Sequence, residues 1–142
     1  MKIIKTETLI CVGPFAESNY WKTIREFLND EIKKMDHPPG SGKFTLYPES
    51  GKKRGEGNGV APIKVSLMNR LHQHGWKIEE PFDIATRKMP GDLDAVLYSN
   101  NGNIAVEWET GNISSSHRAL NKLALGLTKK VISAGIHIVP SR

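Results

Sequence analysis

Asp94-Ala95-Val96-Leu97-Tyr98-Ser99-Asn100-Asn101-Gly102-Asn103-Ile104-Ala105-Val106-Glu107-Trp108-Glu109 is the stretch that decides the fold. Its two apolar halves, Asp94 to Ser99 and Asn103 to Glu109, read as strands. Asn101-Gly102 between them is a strong hairpin signal, so the strands are expected to be antiparallel neighbours. Side chains two apart on a strand share a face, which sets Glu107 and Glu109 together and turns Trp108 the other way. Asp94, at the start of the partner strand, is carried alongside them by the hairpin. An amphipathic hairpin with solvated acids would show the same spacing, but here Ala95-Val96-Leu97 and Ile104-Ala105-Val106 embed the acids in core-type strands. Buried carboxylates repel one another and need a counter-charge, and neither strand contains a lysine or arginine. The expected partner is a divalent metal. Hard oxygen ligands suit Mg2+, and the chemistry that uses such a site is metal-assisted phosphodiester hydrolysis.

Working outward, Trp21, Ile24, Phe27, Leu28, Ile32 and Met35 fall on one helical face and predict a helix from Ser18 to Met35. His37-Pro38-Pro39-Gly40-Ser41-Gly42 ends it, and Lys43 to Tyr47 reads as a short strand. Glu49 to Gly59, with Lys52, Lys53 and Arg54, has the composition of a mobile basic loop. Pro62 suits a helix start, and Ile63, Leu67, Met68 and Leu71 continue a stripe to the stop at Gly75. Trp76 to Glu80 and Phe82 to Thr86 read as extended. Beyond the hairpin, Leu120, Leu123, Ala124, Leu127 and Val131 predict a helix from Ser114 to Val131, capped by Ser114 or Ser115. A strand from Gly135 to Val139 follows. The expected fold is α/β: a mixed central sheet flanked by helices.

The chain has 142 residues, the length of one domain (1–142) with one core. Twenty Lys and Arg against 15 Asp and Glu leave +5, which favours a polyanionic partner. Cys11 is the only cysteine, so no intramolecular disulfide or Cys-rich zinc site is possible, and it is expected to be a small buried hydrophobe. Lys5 and Glu7 break the apolar start before it reaches signal-peptide length, and no stretch approaches a membrane span, so a soluble cytoplasmic protein without a membrane partner is expected.

Glu107 to Leu127, together with Gly57 to Lys64, Gly75-Trp76 with Glu79 and Pro81, and Gly91 to Val96, resembles the BamHI type of type II restriction endonuclease. That family has the PD-(D/E)xK nuclease core, and Glu109 stands where that motif usually has lysine. The resemblance implies a homodimeric enzyme that cuts double-stranded DNA with Mg2+, two ions per active site, within the palindrome GGATCC. It also implies a cognate DNA methyltransferase in the same system, without stable binding. By the same resemblance Asp94 and Glu107 match the metal ligands, Glu79 the fourth active-site acid, also at the metal, and Glu109 the general base or water orienter. Asn112, Ser114 and Arg118 match positions that face base edges, and Lys64 is expected on a phosphate. The family's chains continue past the part matching Gly135 to Pro140, so this chain reads as a fragment or a shortened relative. Another nuclease of the same fold, or a DNA-binding remnant with weak or no catalysis, are the competing expectations.

Overall fold

A computed structural model describes residues 1–45, 60–81, 91–109 and 113–139. Elements run α1 (Pro14–Glu17), α2 (Asn19–Lys33), α3 (Val60–Gln73), β1 (Lys77–Glu80), β2 (Leu93–Leu97), β3 (Ile104–Trp108), α4 (Ile113–Thr128) and β4 (Ala134–Ile138). The four strands form one sheet in the order β1-β2-β3-β4. β1, β2 and β3 are antiparallel neighbours, and β4 joins β3 in parallel after the crossover through α4. This is the mixed, helix-flanked α/β sheet expected from the sequence.

Local chemistry sets the element ends. Ser18 caps α2 by accepting from the Trp21 N–H at 3.1 Å. Pro62 lies in the first turn of α3, where a missing N–H costs no helical bond. At the other end Trp76 N–H bonds Leu71 O at 3.1 Å and Gly75 N–H bonds His72 O at 3.0 Å, with Gly75 at φ 85°. That paired closure needs a left-handed residue, and glycine supplies it without strain. In the hairpin Gly102 has φ 127°, and a Cβ there would stand 2.5 Å from Ser133 Oγ. The turn therefore requires glycine for both conformation and space.

Alternation along β3 divides the core. Ile104, Val106 and Trp108 face α2 and α3, packing with Leu28, Ile32, Leu67, Leu71 and Trp76. Ala105 faces the opposite way with Val96, toward Leu123 of α4. Fully burying a residue such as Leu67 or Leu71 stabilises by about 1.5–3 kcal/mol.

Several local expectations are corrected. Of the strand expected from Lys43 to Tyr47, the described residues show an isolated bridge of Phe44 to His37, and residues 46 and 47 lie outside them. Cys11 is exposed, because residues around it form no element that could bury it. Ile113 is already helical in α4, so Ser114 and Ser115 lie inside the helix and neither is its cap. The basic loop at 49–59, the segment 82–86 and Asn112 lie outside the described residues.

Candidate active site

Strand register gathers the acids. Ile78 pairs with Ala95 and Glu80 with Leu93, so Glu79 falls beside Asp94. Ala95 pairs with Val106, and one further step along that ladder sets Asp94 across from Glu107. Glu107 in turn pairs with His137 of β4. Paired residues share a face, so Asp94, Glu107 and His137 line up across the α4 side of the sheet. Glu79 has φ 51°, outside normal strand geometry, so its side chain is not bound by the alternation of β1. Glu109 lies just past β3, its N–H donating to Ile138 O at 2.9 Å.

The counter-charges come from helices. Asp94 is buried; its Oδ2 accepts from the Trp108 N–H at 2.7 Å and its Oδ1 from Lys64 Nζ at 2.5 Å. Lys64, near the start of α3, also reaches Glu79 Oε1 at 3.2 Å. Glu107 is 3 % exposed, and Lys122 Nζ from α4 stands 2.5 Å from its Oε1. The same ammonium donates to Asp92 O at 2.8 Å, so Lys122 bridges that carbonyl and the Glu107 carboxylate. The sequence expectation that the acids lacked a basic partner is thereby corrected: partners absent from the strands arrive from α3 and α4. Lys64 is placed on the carboxylates themselves. Lys122 of α4 is likewise buried against them.

Lys64 and Lys122 do not balance the four acids of this cluster. Burial pushes the Glu107 carboxyl up to about 7, Lys122 opposes the rise, and the charges of Asp94 and Glu109 add to it. Glu109 is raised too, first by burial and then by Asp94, against the pull of Arg118, Lys122 and Lys64. Burial holds His137 below its ordinary value, and among the described residues its buried Nε2 has no hydrogen-bond partner.

Beside the acids, Ser114, His117, Arg118, Asn121, Lys122 and Leu125 line an open groove of about 350 Å3 along α4. Arg118 is near enough to act on Glu109, which sets the groove and the acids next to each other. Among the described residues no three of the acidic or histidine side chains converge closely enough, as placed, to hold one metal ion. The donor set nevertheless fits a hard divalent cation in kind: these are carboxylate oxygens, and the charge of Asp94 acts on both Glu107 and Glu109.

A mixed α/β sheet with a carboxylate row beside a helical groove is the architecture of restriction-endonuclease-like proteins. The family described as restriction endonuclease BamHI matches residues 1–142, and the chain belongs to it. Over 142 residues it is 44% identical to the type II restriction enzyme OkrAI of Oceanobacter kriegii, covering 100% of this chain and 69% of that relative. It is also 39% identical over 90 residues to the type II restriction enzyme BamHI of Bacillus amyloliquefaciens, covering 58% of this chain and 42% of that enzyme. Enzymes of this class are site-specific deoxyribonucleases. No helix among the described residues is long and apolar enough to cross a membrane.

Sequence reasoning missed Lys122 as a site residue, and His137 altogether. For Lys122 a signal existed: it lies three residues after Ala119 and next to Leu123, on the face of α4 that buries, and a lysine on a buried face needs an acid. For His137 there was none, because its neighbour Glu107 is set by a parallel pairing that the sequence does not specify.

Proposed function

We propose that this chain is the catalytic part of a type II restriction endonuclease that makes Mg2+-dependent double-strand cuts in DNA, at GGATCC. The observation that carries the reading is the acid row of Asp94 and Glu107 lying beside the α4 groove that holds Arg118 and Ser114. Asp94 and Glu107, with Glu79 beside them, would hold the metal. Bound there, Mg2+ would supply Lewis-acid stabilisation of the phosphate charge and a more acidic water.

The chain's own groups do the rest. Glu109, whose affinity for a proton is raised by burial and by Asp94, accepts the proton of the attacking water. As that oxygen bonds to phosphorus, the bond from phosphorus to the 3′ oxygen breaks, and the leaving oxygen takes a proton from solvent. Lys64, already at the carboxylates, is the ammonium that meets the phosphate backbone there. Arg118 has the planar fork that matches the two major-groove acceptors of guanine, with Ser114 and Asn112 supplying single hydrogen bonds to neighbouring base edges. A palindrome is read with two-fold symmetry, so the working form is a homodimer on double-stranded DNA, in a system whose methyltransferase protects the same site without stable binding.

The test is digestion of a plasmid with one GGATCC site, in Mg2+ and in Ca2+. Linear product in Mg2+ only is expected. Binding without cutting in either metal would make the chain a DNA-binding remnant. Cutting at unrelated sequences would make it a different nuclease of the same fold.

A further inference from the structure

Lys122 is the least expected side chain in the fold. It is 7 % exposed, on the same buried face of α4 as Ala119 and Leu123. Burying an ammonium costs several kcal/mol, and a well-packed apolar residue in such a slot is often as stabilising as the ion pair or more so. Stability alone therefore does not account for it. Its two contacts define what it does: the Asp92 carbonyl fixes the ammonium from one side at 2.8 Å, and Glu107 Oε1 meets it at 2.5 Å on the other. A fixed ammonium against one carboxylate oxygen sets the rotation of that carboxylate. Lys122 also lines the groove with Ser114, His117 and Arg118, so the residue that holds Glu107 is rooted in the helix proposed to read DNA.

We propose that Lys122 is a positioning residue for the metal site, holding Glu107 through Oε1 in the orientation that receives a divalent cation. The inference rests on the metal-binding reading of Asp94 and Glu107. Partners outside the ligand shell typically set metal affinity by 10–100-fold, because they fix the ligand's rotamer before the metal arrives. The opposite role, a resident cation that excludes the metal, predicts the opposite sign, so the two are separable.

The experiment is Mn2+ binding to the whole chain without DNA, followed by the loss of the free-ion electron paramagnetic resonance signal. Variants are K122M, K122Q, E107A and, as a packing control, L123A, each first shown to be folded by circular dichroism. K122M, or K122Q should K122M not fold, is expected to weaken Mn2+ binding by about 10–100-fold. L123A removes a buried neighbour on the same face and is expected to stay within about threefold, since it leaves the ligand's partner in place. Unchanged or tighter binding in both lysine variants overturns the inference, as does an equal loss in L123A. If E107A binds Mn2+ as the parent does, the metal-site reading itself fails, whatever the lysine variants show.

Discussion

Among the described residues two glutamates are buried, and their surroundings differ in one respect that matters. Glu31 of α2 is 5 % exposed and meets two cations, Lys34 at 2.7 Å and Arg70 of α3 at 3.7 Å. Both cations are partly exposed; Lys34 closes the end of the same helix, and Arg70 ties α2 to α3. Glu107, equally buried, meets one cation among the described residues, Lys122, and feels the negative charges of Asp94 and Glu109. The first is a compensated acid that serves the fold. The second is under-compensated, and that residual negative charge is what a metal site requires.

The sharpest way to break the comparison is to remove each acid in turn. E107A or D94N is expected to lower cleavage of the single-site plasmid by more than about 100-fold, beyond what an outer-shell partner alone costs. E31Q should cut at close to the parental rate. Comparable losses from E31Q and E107A would show that burial, not the acid cluster, is what cleavage depends on.

Acidity distinguishes the two next. Between its ordinary 4.5 and the value of about 7 in the fold, Glu107 holds a proton that the unfolded chain has released. Folding is thus favoured below that window, and the metal-free protein should lose stability as pH rises from about 4.5 to about 7. Urea midpoints measured in chelator across this range should fall for the parent and flatten for E107Q. A slope that persists in E107Q would assign it to another group.

Smaller effects belong to the groove and to Glu31 itself. R118A is expected to lose about 1–3 kcal/mol of preference for GGATCC over a duplex with one G·C pair changed, read from paired titrations in Ca2+ at fixed salt. Equal weakening on both duplexes would reduce Arg118 to an electrostatic contact. E31Q should cost about 1 kcal/mol or less in urea denaturation, because Lys34 and Arg70 are exposed enough to return to water. A loss several times larger would mean that Glu31 is not the balanced acid described above.

Much of this was legible beforehand, for identifiable reasons. The hairpin followed from Asn101-Gly102 between two apolar runs, α2 from its periodic face behind Ser18, and the end of α3 from Gly75. Each depends on neighbours close in sequence, where backbone chemistry and side-chain period act directly. The approach of Asp94 to Glu107 followed the same way, since the two lie across one tight turn, with Glu109 just past the end of β3. Cys11 and the α4 cap went astray where a few residues of context decide burial or phase and composition does not.

The sequence by itself determined the hairpin, the helices that flank it and the excess of negative charge at its mouth, because these are local consequences of period and turn chemistry. Only the tertiary structure decided what that charge meets. Lys64 lies 30 residues before Asp94 and Lys122 lies 15 after Glu107, and no spacing rule brings either pair together. They meet because α3 and α4 pack on opposite faces of one sheet and the apolar burial that fixes those helices also fixes where their lysines end. His137 reaches the same row through the parallel pairing of β4 with β3. Side-chain period says which way a residue points along its own element; only packing says which charge stands in front of it.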